Sequence, residues 1–221
     1  MNRKNIIRSV QNNNDAKTLL SNFSWLAALQ IAGYIFPLLT MPYLAKTIGT
    51  YGFGKLAFAA AIISWIQTIA DWGFNFTATR DVAQCRDNKD MVSRIFSNVL
   101  WARCLLSFLS GAILTIATIL IPSFRENWLI IFLTYLMIPG HILFPDWFFQ
   151  AVEKMKYTTI LNISFKFIFT IAIFIFIKKE NDYVLQPIFT TIGYLVCGIC
   201  AFILIIKRWG YTIYKPSLTE V

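Results

Sequence analysis

The feature that most narrows what this chain can become is a succession of long apolar runs, almost free of charge, at 23–44, 56–76, 104–121, 128–149, 157–177 and 184–206. Lipid offers the backbone no hydrogen-bond partner, so a crossing segment must satisfy its own N–H and C=O groups as a helix or pair within a closed barrel. Barrel strands need only about 9–11 residues. The runs here suit helices instead: at about 1.5 Å per residue, 23–44 reaches roughly 33 Å, against a hydrocarbon core of about 30 Å. The pattern therefore predicts an all-α membrane protein with about six transmembrane helices. Composition supports it, with 57% hydrophobic and 14% charged residues. Soluble domains carry about 45–50% and about 25%, so this chain has too little charge to coat a surface in water.

The polar remainder sets the organisation. Residues 1–22 form a polar leading tail, 23–206 the six-helix unit and 207–221 a second tail. The leading stretch does not fit a signal peptide, whose apolar core is shorter and ends at a small-residue cleavage site. Basic residues divide thirteen to five between the two sides. The richer side has Arg3, Lys4, Arg8, Lys17, Arg80, Arg86, Lys89, Arg94, Lys154, Lys156, Lys207, Arg208 and Lys215; the poorer has Lys46, Lys55, Arg125, Lys178 and Lys179. The positive-inside rule then places both termini in the cytoplasm, as an even number of crossings requires. Trp25, Trp128, Tyr157, Tyr183 and Trp209 fall near run ends, where amphipathic rings favour the headgroup layer. Pro37, Pro42, Pro139 and Pro145 lie inside runs and predict kinks.

Several chemistries are disfavoured by residue type and spacing. The net charge of +9 is distributed between apolar runs and matches no nucleic-acid-binding motif, so it reads as topology and contact with anionic lipid headgroups. Cys197 and Cys200 have C-x-x-C spacing within an apolar run, without the strand-helix context of a redox site, and read as small residues at a helix contact. The glycines at 49, 52 and 54 before Lys55 superficially resemble a phosphate loop, but Leu56 stands where a Ser or Thr is required, so the segment reads as a turn. A single histidine, His141, excludes multi-histidine metal sites and reads as an uncharged helix residue. No cofactor, metal or nucleic acid is expected, and no enzymatic activity.

What stands out is polarity inside the runs. A charge within a membrane helix costs roughly 2.5–3.5 kcal/mol on insertion scales and ordinarily faces a partner or a hydrated cavity. Lys166 sits mid-run with Thr159, Asn162 and Thr170 at spacings that place all four on one helical face. Ser64, Gln67, Asp71 and Asn75 repeat the arrangement; Arg103, Ser107, Gly111 and Thr115 form a third face, and Gln30, Gly33, Pro37 and Thr40 a fourth. These faces predict a hydrated cavity between helices, with closed packing as the alternative. By topology Lys166 and His141 belong near the midplane, and Asp71, Arg103 and Asp146 in the cytoplasmic third. Asp71 with Arg103 reads equally as an ion pair or as part of a substrate site. Lys166 has a competing reading as a fixed salt bridge to Asp71 or Asp146.

Three long segments carry a family resemblance: NFSWLAALQIAGYIFPLLTMPYLAKTIGTYGFGKLAFA at 22–59, DWGFNFTATRDVA at 71–83 and FPDWFFQAVEKMKYTTILN at 144–162, with a final PSL at 216–218. They resemble the bacterial O-antigen flippases, polysaccharide transporters of the multidrug/oligosaccharidyl-lipid/polysaccharide exporter superfamily. The resemblance implies a carrier of the bacterial inner membrane that moves an undecaprenyl-diphosphate-linked oligosaccharide from the cytoplasmic to the periplasmic leaflet, without covalent chemistry, for polysaccharide biosynthesis. It also implies two helical lobes around a cationic central cavity that alternates between inward-open and outward-open states. Asp71 and Arg80 fall in the family's DxGF...ATR segment, and Lys154 and Lys156 in its EKMKY segment; Asp146 departs from the pattern, where an apolar residue is commoner.

Members of that family have 12 to 14 crossings, so about six correspond to an amino-terminal lobe, whose second lobe would come from another chain or from self-association. Lys166, Arg103, Asp71, Arg80, Asn162 and Gln67 are the candidate substrate-cavity residues. The expected partners are the lipid-linked oligosaccharide and membrane lipids. Two other readings stay open: a related exporter of drugs or another lipid-linked precursor, and a non-transporting remnant or scaffold.

Overall fold

The structure, a computed structural model, describes residues 3–215, with side chains from residue 17 onward. The PSL tripeptide at 216–218 and the side chains of Arg3, Lys4 and Arg8 lie outside the described residues. Helices follow one another as α1 (Arg3–Asp71), α2 (Phe74–Gln84), α3 (Lys89–Leu120), α4 (Pro122–Glu126), α5 (Trp128–Tyr135), α6 (Met137–Leu143), α7 (Asp146–Ala151), α8 (Met155–Phe176) and α9 (Leu185–Ile203), with no strand among the described residues.

Five helical stretches are long and apolar enough to cross a membrane: Lys17–Gln84, Lys89–Leu120, Trp128–Ala151, Met155–Phe176 and Glu180–Arg208. The first, of 68 residues, carries two crossings because α1 reverses at Gly49, whose φ of 70° and ψ of 175° interrupt the helical backbone. Direction changes there. Before it, Trp25 contacts Thr159 and Tyr43 contacts Phe174 and Ile177, so the first arm runs parallel to α8. After it, Phe58 meets Phe124 while Asp71 meets Arg103, so the second arm runs antiparallel to α3. The glycine-rich turn expected at 49–55 is thus confined to Gly49, where an L side chain would be strained at positive φ. Helix resumes at once.

The six crossings alternate between two ends. Residues around Gly49, Asn127 and Glu180 meet at the far end, while α2, Glu153 and residues 207–215 meet at the end near both termini. Observed boundaries depart from the expected runs in three places. The second arm of α1 ends at Asp71, in a turn of positive φ at Trp72 and Gly73, so Asn75 falls in a separate helix, α2, and leaves the expected face with Gln67. Crossing four is broken at Leu136 and again at Phe144 and Pro145. Pro139 lacks the N–H that would bond the carbonyl of residue 135 and its ring crowds that carbonyl, which accounts for the first break; Pro145 pushes Phe144 out of the helical region, which accounts for the second. Through Pro37 and Pro42, by contrast, the backbone stays helical. Residues 209–215 do not extend away as a tail: the N–H groups of Thr212 and Tyr214 donate to Ser93 and Ser97 of α3.

Side chains such as Leu38, Trp65 and Phe108, each more than 70% exposed, form the lipid-facing surface. Lipid is as apolar as leucine, so helices associate through close packing and small residues. At the terminal end Phe96, Trp147, Phe148 and Tyr211 stack edge to face, and such ring pairs contribute about 0.5–1.5 kcal/mol each beyond area. Near mid-depth α6 crosses α9 backbone to backbone. A Cβ added to Gly140 would lie 2.5 Å from the N of Leu195.

Candidate functional site

The sites begin with the charges that the helices bring inside. Arg103 of α3 is fully buried and ion-pairs with Asp71 at the end of the second arm of α1, whose side chain is 20% exposed. His141 of α6 places Nε2 3.5 Å from the other carboxylate oxygen of Asp71, too long and misdirected for a hydrogen bond. Three crossings therefore meet at one charge cluster. The expected separation in depth is corrected: Asp71, Arg103 and His141 share one level, with His141 on α6 just after the helix break at Leu136 and Asp71 at the end of α1. Of the two readings for Asp71 and Arg103, the ion pair is the one observed.

Lys166 lies apart from that cluster. Among the described residues no carboxylate forms an ion pair with it. Asp71 is engaged by Arg103, and Asp146 accepts a hydrogen bond from the N–H of Trp147 at the start of α7. The proposed fixed salt bridge from Lys166 to Asp71 or Asp146 is thus corrected. Lys166 lines a cavity of about 250 Å³ with Asn162 and Thr170 of α8, Thr40 of α1 and Tyr194 of α9. A second cavity, of about 360 Å³, lies between the two arms of α1 and is lined by Ser64, Gln67, Thr134 and Gln186. Pro37, Thr40, Gln186 and Thr190 border both cavities, which therefore adjoin.

The local cause is helical periodicity. Residues 162, 166 and 170 recur every four positions and fall on the α8 face turned to the cavity, while Thr159, one turn earlier, donates to the carbonyl of Trp25 at 2.9 Å and closes that end. Hydroxyls around the cavities are held by their own helices: Ser64 donates to Ala61, Thr134 to Ile130 and Thr190 to Gln186. Lys166 is the one charged side chain lining the two cavities among the described residues.

The expected cavity residues divide accordingly. Lys166 and Asn162 line the first cavity and Gln67 the second; Asp71 and Arg103 line neither, and Arg80 is exposed on α2. The face of α3 is closed packing: Tyr135 donates to the carbonyl of Ser107 at 2.7 Å and sits over Gly111. On the first arm of α1, Pro37 and Thr40 reach the cavities, while Gln30 contacts Tyr34 on the exposed side.

The sequence predicts the crossing at 184–206, but not that α9 turns a polar face to the cavity. Gln186, Thr190, Gly193 and Cys197 recur at spacings of 4, 3 and 4 and line the Lys166 cavity, the same periodic signal used for the other crossings. Cys197 is buried there, Cys200 is exposed, and both are free thiols. Among the described residues no group of three His, Cys, Asp or Glu side chains forms a metal-ligating arrangement.

Comparison with known proteins gives a consistent result. The family described as "Polysaccharide biosynthesis protein" matches residues 19–221. A protein of Escherichia coli (strain K12) named "Putative O-antigen transporter" is 32% identical over 196 residues, covering 89% of this chain and 47% of that protein. One of Shigella dysenteriae with the same name is 27% identical over 190 residues, covering 86% of this chain and 48% of its own length. The chain spans about half the length of the curated relatives it matches. No solved structure matches it.

Proposed function

Because the chain belongs to the polysaccharide biosynthesis protein family, we propose that it forms the amino-terminal lobe of an O-antigen flippase, carrying an undecaprenyl-diphosphate-linked oligosaccharide from the cytoplasmic to the periplasmic leaflet. The observation that carries this reading is Lys166, a cation without an ion-pair partner among the described residues, on the wall of a cavity between membrane-crossing helices. An ammonium at that depth is tolerated when solvated or paired, and a diphosphate passing through a low-dielectric cavity is drawn to it strongly. Translocation requires no bond to be made or broken. The lobe's task is to replace headgroup hydration during the crossing, and to do so weakly enough for release.

In this reading the protein lies in the bacterial inner membrane with both termini in the cytoplasm, supported by the thirteen-to-five division of basic residues. A second lobe, from another chain or a second copy, completes the cavity. Arg103 and Asp71 hold crossings two and three together and do not touch the substrate.

The test is O-antigen display in a flippase-deficient strain that also expresses the carboxy-terminal lobe of a close relative. Lys166→Arg should retain display, while Lys166→Ala and Lys166→Glu lose it with the protein inserted at normal levels. Full display with Lys166→Ala would refute the role given to this cation. Complementation by the 221-residue chain alone, uncleaved and unfused, would refute the assignment as a single lobe.

A further inference from the structure

The polar groups that line the two cavities differ in kind. The first holds a cation, Lys166, among its amides and hydroxyls; the polar groups of the adjoining cavity are amides and hydroxyls alone, those of Thr40, Ser64, Gln67, Thr134, Gln186 and Thr190. Gln67 sits half-buried on the second arm of α1, and its amide makes no hydrogen bond within the described chain. The Gln186 Nε2 donates to Thr190 at 3.3 Å, while its carbonyl oxygen has no donor in the described chain. An amide without partners inside a membrane-crossing unit is costly, because the surrounding lipid cannot hydrogen-bond it. Three hydroxyls nearby donate to their own helices and keep lone pairs free to accept.

We infer that this second cavity is a saccharide subsite, in which Gln67 and Gln186 recognise the hydroxyl and N-acetyl groups of an uncharged sugar attached to the diphosphate held at Lys166. The inference rests on the flippase reading and adds to it which part of the substrate goes where. Three features support it. The volume of about 360 Å³ is that of a small-molecule site. Apolar side chains such as Phe53, Leu56 and Met137 make up most of the wall, and its polar groups are donors and acceptors without charge, which suits the C–H faces, hydroxyls and amides of a neutral sugar and gives an acidic sugar no counterion. The cavity shares Thr40, Gln186 and Thr190 with the Lys166 cavity, so one ligand can extend from one into the other. Gln67 and Gln186 are thus specificity residues, and Lys166 serves any polyprenyl diphosphate.

The experiment measures binding to the 221-residue chain, co-expressed with the carboxy-terminal lobe of a close relative and reconstituted in lipid nanodiscs, with two probes, farnesyl diphosphate and N-acetylglucosaminyl diphosphofarnesol. Wild type should bind the sugar-bearing probe about fivefold more tightly or better, the gain of one or more net hydrogen bonds. Gln67→Ala, which lines the second cavity alone, should reduce that gain while leaving the Kd for farnesyl diphosphate unchanged, which also reports that it folds; Gln186→Ala, which borders both cavities, should reduce the gain as well. Lys166→Ala should weaken both probes alike. A sugar gain that survives in both glutamine variants, or no gain in wild type, would overturn the subsite and leave the Lys166 reading intact. Failure of wild type to bind farnesyl diphosphate would overturn the flippase reading, and the subsite with it.

Discussion

Removing the carboxylate of Asp71 should destabilise the fold more than any other single change at a cavity or charge site. Arg103 is fully buried, and two of its three guanidinium nitrogens, Nε and Nη1, have no partner among the described residues. Among the described residues Asp71 is the one anion that pairs with it. Asp71→Asn keeps the side-chain shape but leaves an uncompensated cation inside, a change that costs about 3–5 kcal/mol for buried pairs. At about 1.4 kcal/mol per decade, the folded-to-unfolded ratio falls by about two to four orders of magnitude. Replacing both partners removes the penalty: Asp71→Leu with Arg103→Met should be near wild type, since apolar substitutes for buried pairs are commonly neutral or better. The assay is equilibrium unfolding in mixed micelles titrated with a denaturing detergent, for wild type, the two single variants and the double. His141→Gln is the control and should cost less than about 1 kcal/mol, because its nitrogen makes no hydrogen bond to Asp71. Single-variant losses that add in the double to within about 0.5 kcal/mol would refute the reasoning, for they would show no coupling between the two charges.

Gly140→Ala should cost about 1–3 kcal/mol, since its Cβ would press on the α9 backbone, whereas Gly33→Ala, with nothing within 4 Å, should be neutral or stabilise by up to about 1 kcal/mol; the same unfolding titration distinguishes them. Tyr43→Phe should cost about 1 kcal/mol and loosen crossing one from crossing five, because its hydroxyl donates to the carbonyl of Ile177 at 2.7 Å. Cysteines placed at Lys179 and Lys89 in a cysteine-free background should report topology: an impermeant reagent should label the first in whole cells and not the second, and the reverse pattern would overturn the orientation.

Much of the fold was legible because the bilayer imposes lengths on the chain. Lipid forces each apolar run into a helix of about twenty residues, so the crossings followed from composition alone. The face of Lys166 and Asn162 was legible for a related reason, since periodicity states which residues of one helix point the same way. Periodicity does not state what they point at. The face of α3 carries the same small and polar spacing as that of α8, yet Tyr135 closes over one while a cavity opens beside the other. The polar face of α9 has an equal spacing signal but contains no charge, so its sequence alone does not set it apart from a packing face.

The sequence by itself determined that this is a membrane protein of six helical crossings, with a lone cation in the fifth. Only the tertiary structure decided that Arg103 meets Asp71 and His141, that Lys166 meets none of them, and that residues 209–215 lie along α3. The physical reason is that spacing along one helix sets an angle about its own axis, whereas rotation and tilt between helices depend on contacts far apart in sequence. At Gly140 and Gly198 two backbones approach closely enough to set how α6 and α9 cross, and that crossing places Gln186, Thr190 and Tyr194 beside Lys166.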